Sequence, residues 1–368
     1  MWHLSIVSKH LIQSSDLPVL KMKFISGLIA LAALASAAPG KAPTPLDIKL
    51  EGAGNAEIKA VITNTGKNNL KIFKTGTILD SAPVEKVTIS SGEHIVAFDG
   101  VRQRISTQNL AEDAFQHIAA GESIEVTFDI AEAHDLSIGG KYDIQSVGAF
   151  SFAQEESNEL VGSVPFETNK IEIEVDGEDA SARRVAFHQK RTRVQSDCTG
   201  SKLSVTQTAL RNCASVAQLA QQAAASGAAA KLTEYFKSST SSVRSTVSGV
   251  FSRVLSECSS TSSGVASYYC SDVLSSCSSN VLAYTLPSSS LMVYCNLYFT
   301  ALPALTRSCH AQDQATTNIH EITHLSQVKG TQDYNGYGYN FVRSLTAAQN
   351  LNHADTYALF ANAIYAGC

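Results

Sequence analysis

The sequence predicts a multi-domain chain, with a β-sandwich-like N-terminal part followed by a mainly α-helical, disulfide-rich C-terminal part. Three observations predict it. Short period-two alternations of apolar and polar residues crowd residues 45–177, the pattern of strands with one buried face. From Leu203 onward apolar residues return at helical spacing instead. All eight cysteines lie beyond residue 197, so the crosslinks belong to the second part alone. A length of 368 residues suits about two domains.

Residues 1–21 have no evident role, and Met22 is expected to be the natural start. Met22–Ala37 reads as a signal peptide, with Lys23 at its head, a short apolar core from Phe24 and a small-x-small end at Ala35-Ser36-Ala37. That core is too short to span a bilayer. No other apolar run approaches membrane length, so a secreted chain with no membrane contact after signal removal is expected. Residues 38–191 then carry the alternations Asp47–Leu50, Glu57–Ile62, Val87–Ile89, Ser123–Phe128 and Lys170–Val175. Turn signals such as Asn64-Thr65-Gly66 and Gly139-Gly140 separate them. No cluster of chemistry-bearing side chains occurs there. A charged stretch from Ala182 to Thr192 ends the part, and its Lys190-Arg191 pair offers a dibasic site to a processing protease.

Residues 192–368 follow. Leu203–Phe236 has helical spacing apart from Gly227, and Leu345–Tyr365 repeats it. The Ser-rich stretch between Ser238 and Ser290 reads as loops and short helices stapled by disulfides, since Val250, Phe251, Val254 and Leu255 still offer a face to bury. An even cysteine count in an exported chain allows four disulfides. No Cys-x-x-Cys pair occurs, which excludes a redox motif or a thiolate metal site of that type. A net charge of −5 excludes a nucleic-acid footprint. Residues 192–368 carry 10 Lys and Arg against 8 Asp and Glu, leaving 18 and 25 of the chain's 28 and 33 upstream. An acidic part beside a slightly basic one suits a masking partner as well as plain solubility.

The chemistry sits in His320-Glu321-Ile322-Thr323-His324. Residues i and i+4 share a helical face, so two imidazoles can give one nitrogen each to a single Zn²⁺. Glu321, one step round, can take a proton from water activated there, the arrangement of a zinc peptidase. The competing reading is a surface helix with incidental histidines. Against it stand the apolar set Ile319, Ile322 and Leu325 and the Gly330 stop. A third ligand must come from elsewhere. Gln327 and Gly330 break the pattern that would supply a third His, and no Glu follows Glu321. Asp333, His353, Asp355 and Cys368 remain downstream, and a Gly- and Tyr-rich turn carries Asp333.

His-Glu-Ile-Thr-His followed by Gly330-Thr331-Gln332-Asp333 resembles the deuterolysins, fungal zinc endopeptidases called aspzincins because Asp is the third ligand. The resemblance implies His320, His324 and Asp333 as ligands of one Zn²⁺ per mature chain and Glu321 as catalytic base. It matches Asp355 to an Asp near the family site, a second-shell orienter or alternative ligand. The family tyrosine falls on Tyr337, which precedes Gly338, although one extra residue in the turn leaves Tyr334 as the other candidate. Further implications are the pairs Cys198–Cys270, Cys277–Cys295 and Cys309–Cys368, leaving Cys213 and Cys258 available for a fourth. They extend to a propeptide, residues 38–191, acting as chaperone or inhibitor, with cleavage after Arg191 and a zincin catalytic domain from Thr192. Protein or peptide substrates are expected. With no cysteine upstream, a thiolate switch on the metal is excluded. The rival is a secreted β-sandwich binding protein with an incidental or structural metal site.

Overall fold

The computed structural model describes residues 44–189, 197–260, 264–334 and 336–368. The extension 1–21, the signal segment 22–37 and the Lys190-Arg191 pair lie outside them. Among the described residues the upstream part holds twelve strands: β1 (Leu46–Gly52), β2 (Glu57–Asn64), β3 (Leu70–Phe73), β4 (Thr88–Ser91), β5 (His94–Ile95), β6 (Arg102–Ile105), β7 (Phe115–Ile118), β8 (Ser123–Asp129), β9 (Gly140–Gln145), β10 (Val147–Ala153), β11 (Leu160–Glu167) and β12 (Ile171–Val175). Alternation shapes them directly. In β1, Leu46, Ile48 and Leu50 are buried while Asp47, Lys49 and Glu51 face solvent, and Ile48 pairs Ile62 across to β2.

Three sheets result, in the orders β1-β2-β8, β11-β10-β3-β7 and β12-β9-β4-β5. They close on one core that includes Ile58, Ile62, Ile89, Ile144, Phe150 and Phe166. Helix α1 (Gly177–Gln189) follows, and its Arg184 forms an ion pair with Asp99. The first half of the charged stretch is therefore helix.

Downstream come α2 (Gly200–Ser226), α3 (Ala229–Phe236), α4 (Ser241–Cys258), β13 (Ser267–Tyr269), β14 (Val281–Leu286), β15 (Leu291–Tyr294), α5 (Asn296–Ala301), α6 (Gln314–His324), α7 (Tyr339–Ser344), α8 (Ala347–Asn350) and α9 (Ala354–Ala366). Valines and Phe251 of α4, Val216 and Ala220 of α2, Ile319 and Ile322 of α6, and Tyr357 and Phe360 of α9 share one core. The fourth sheet has the order β13-β15-β14-β6, so a strand from the upstream part completes the downstream sheet. Pro43–Cys368 form one compact unit.

The expected β-sandwich-like part followed by a mainly α-helical part does not hold. Helix takes about 35% of the described residues and strand about 27%, in several small sheets, and the C-terminal part contributes three strands to one of them. The physical reason lies in β14 and β15, whose residues are all buried. A strand covered on both faces has no alternation to read. The Ser-rich stretch likewise contains an 18-residue helix, α4, capped by Thr240, whose hydroxyl accepts from the Val243 N–H at 3.4 Å. Its apolar face, Val243, Val247, Val250, Phe251 and Val254, outweighs the middling helix propensity of serine and valine. Residues 345–365 form two helices, α8 with a Thr346 capping box and α9.

Four disulfides join Cys198–Cys270, Cys213–Cys258, Cys277–Cys295 and Cys309–Cys368, and no cysteine is free. Cys213–Cys258 ties α2 to the end of α4 across 45 residues. Closing a loop of that length removes about 4 kcal/mol of unfolded-state entropy. Replacing both residues by Ala should therefore lower unfolding free energy by about 2–4 kcal/mol, read from a urea transition. An unchanged midpoint would show that the bond adds nothing to helix packing. Alkylation without reductant should add no mass to the native chain.

Candidate metal centre

The site is built on α6, and all eleven residues of that helix are buried. Asp313 caps it: one carboxylate oxygen accepts from the Thr316 N–H at 2.7 Å and the other from the Thr306 N–H at 2.9 Å. Asn318 Oδ1 accepts from the Tyr294 and Tyr298 hydroxyls at 2.8 and 3.4 Å. The chain then turns sharply. Leu325 O accepts from the N–H groups of Val328, Lys329 and Gly330 at 2.9, 2.9 and 3.0 Å, and Gly330 takes a φ of 69°, a conformation that favours glycine. The returning segment is stitched to the start of α9. Gln332 N–H donates to Asn352 O at 2.8 Å, and Ala354 N–H donates to Gln332 O at 3.1 Å. Asp333 follows directly and is delivered back over α6.

Three sequence-predicted residues meet here. Asp333 Oδ1 lies 3.3 Å from His320 Nε2 and 3.5 Å from His324 Nε2. All three residues are buried, and none of these three atoms has a hydrogen-bond partner. Buried polar atoms are rarely left so. Ligands about 2.0–2.1 Å from a tetrahedral ion sit about 3.3 Å apart, close to the separations found, so the residues fit a metal ion. Among the described residues this is the one such group. His324 Nδ1 faces Thr331 O at 3.0 Å, which makes Nδ1 the protonated nitrogen and leaves the Nε2 lone pair aimed at the centre. Burial pushes the His324 imidazole down to about 3 and that of His320 well below the usual range, so both stay neutral, the form that binds metal.

Glu321 is also fully buried, and burial pushes its carboxyl well above the usual range. Its Oε2 accepts from the Thr285 hydroxyl at 2.6 Å, while Oε1 has no partner. Tyr337 is buried, its ring 6.5 Å from that of His320. Tyr334, with a φ of 51°, instead turns its hydroxyl to Asn352 at 3.4 Å. Asp355 Oδ2 accepts from the Gly338 N–H at 2.6 Å, pinning the turn after Tyr337. Its Oδ1 stands 3.7 Å from His320 Nδ1 and forms an ion pair with Arg104 Nη1, which also lies 3.1 Å from His320 Nδ1. His353 stands behind the centre, its Nε2 3.1 Å from Asp333 O and 3.2 Å from Gly336 O, and so supports the turn rather than joining the ligand group.

Sequence reasoning missed Thr285 and Arg104. Thr285 sits in a strand 36 residues before Glu321, where no motif marks it. Arg104 lies far upstream, in a region with no recognisable site, where nothing local marks it.

The family described as Deuterolysin metalloprotease (M35) matches residues 21–368. A neutral protease 2 homologue of Colletotrichum graminicola is 54% identical over 351 residues, spanning 94% of this chain and 100% of that one. Another, from Phaeosphaeria nodorum, is 55% identical over 356 residues, with coverage of 94% and 100%. A solved zinc peptidase from Grifola frondosa aligns at a TM-score of 0.38 and 24% identity, over 45% of this chain and 97% of that one. With His320, His324 and Asp333 converging on one point in a chain matched along almost its whole length, the protein belongs to the deuterolysin metalloprotease family.

Proposed function

We propose that the chain is a secreted zinc endopeptidase, made as a prepro-enzyme and cleaved after Lys190-Arg191, and that it hydrolyses peptide bonds in proteins. The observation that carries this reading is the trio of buried, unpartnered atoms His320 Nε2, His324 Nε2 and Asp333 Oδ1. Two imidazoles and one carboxylate are a donor set suited to Zn²⁺ with a position left open. A zinc ion held there would lower the pKa of water to about 7 and polarise a carbonyl.

The chain's own groups supply the rest. Thr285 fixes one Glu321 oxygen and leaves Oε1 free, so Glu321 can accept the proton of the attacking water and pass it to the leaving amine. Burial raises its carboxyl, which makes it a stronger proton acceptor. The Tyr337 hydroxyl is read as donor to the substrate oxygen as charge builds there, and Asp355 as the carboxylate that orients His320 through Nδ1. Four disulfides and the signal-like segment 22–37 support export. Among the described residues no helix is long and apolar enough to cross a membrane. Residues 38–191, rich in strands and poor in chemistry, are read as the propeptide.

Asp333→Ala should lower zinc affinity by orders of magnitude, whereas Asp355→Ala should keep more metal and lose roughly 10–100-fold in activity. Glu321→Gln should bind zinc and not turn over, and Thr285→Val should bind zinc with kcat reduced roughly 10–100-fold. Zinc counts by mass spectrometry beside peptide hydrolysis rates separate these roles. A Glu321→Gln variant cleaving at the wild-type rate would sink the peptidase reading and favour a binding protein.

Maturation has its own check. Secreted, active protein should begin at Thr192, as read by N-terminal sequencing. An active species that retains residues 44–177 would reject the propeptide assignment.

A further inference from the structure

Strand β6 leaves the upstream sheets and pairs with β14 of the downstream part. The pairing is antiparallel, with Arg104 opposite Ala283, Gln103 opposite Tyr284 and Arg102 opposite Thr285. Without β6, β14 would be the edge of its sheet, and β14 carries the Thr285 that holds Glu321. Strand β6 also packs against α6, and Arg104 Nη1 lies 3.1 Å from His320 Nδ1. Adding an extended segment to a free sheet edge is a general mode of peptide recognition.

The segment is also fastened beyond Arg104. Gln312 donates to Ile105 O at 2.7 Å and accepts from the Thr107 N–H at 3.0 Å. Ser106 N–H donates to Asn280 O at 2.8 Å. Arg104 is 1% exposed, and its guanidinium reaches Asp355 and His320. Gly76, also upstream, packs so close to Tyr337 that a Cβ there would lie 2.8 Å from the tyrosine hydroxyl.

We propose that Arg102–Ile105 fill the substrate strand of the cleft, and that the Arg104–Asp355 ion pair latches the whole chain in an inactive state. This rests on the reading of the centre as a peptidase site. Removing one member of a buried ion pair strands the other without compensation, so the latch should depend on Arg104 more than on any single backbone bond.

The test uses the full chain, kept whole by Lys190→Gln with Arg191→Gln, loaded with zinc and checked by intact mass. Two readouts are taken: hydrolysis of a short chromogenic peptide, and hydrogen exchange of amides 102–105. The whole chain should be inactive and exchange slowly there. Arg104→Ala should raise both peptide hydrolysis and exchange by roughly a hundredfold, with the amides of Glu57–Asn64 unchanged. If Arg104→Ala does not fold, Arg104→Lys serves. An ammonium is a point charge that cannot reproduce the planar contact, and it should raise both readouts by a smaller factor. A whole chain as active as the processed one overturns the inference, as does either readout moving without the other. A processed chain that is itself inactive would instead sink the peptidase reading, and exchange alone would then decide whether β6 holds the cleft.

Discussion

Everything in the downstream part depends on a helix that has no exposed face. Helix α6 carries two histidines, a glutamate, an asparagine and three threonines, all out of water. Burying such groups without partners is unfavourable by several kcal/mol each, so the surrounding structure is built to answer them. Asp313 holds the first turn, Tyr294 and Tyr298 answer Asn318, Thr285 answers Glu321 and Thr331 answers His324. The atoms left unanswered are thereby few, and those that gather at one point mark the centre. The same dryness that makes the helix demanding keeps both imidazoles neutral and raises the glutamate's affinity for a proton.

How much of this was legible beforehand follows from where the information sits. The His-Glu-x-x-His spacing is local, and a helix converts it into shared geometry, so those three residues could be singled out from five positions. Asp333 needed only a short returning turn. Strands such as β1 and β2 alternate and can be read. Strands β14 and β15 cannot, because covering on both sides erases the alternation. Thr285 and Arg104 were invisible for a different reason. Their roles depend on pairing between segments far apart in the chain, between β14 and α6 for one and between β6 and β14 for the other.

The shared fourth sheet changes the meaning of the domain division. The sequence divides the chain by cysteine content and charge, and the crosslinks do stay within the downstream part. Hydrogen bonding ignores that boundary. Asn280 meets Thr75 and Ser106, Gln312 meets Ile105 and Thr107, and Arg104 reaches Asp355. The covalent staples thus stabilise the part that bears the metal ligands, whereas only noncovalent contacts join it to the upstream part among the described residues.

Gly76 shows how closely the two parts are fitted. Its φ of 73° and its approach to the Tyr337 hydroxyl leave no room for a side chain at that spot. The upstream part is therefore a mould for one particular cleft rather than an exchangeable cover. A hybrid chain, joining an upstream part with any larger residue at this position to the present downstream part, would meet steric refusal at the tyrosine before its strand could seat. Compatibility between the two parts is set there by the absence of a single carbon atom.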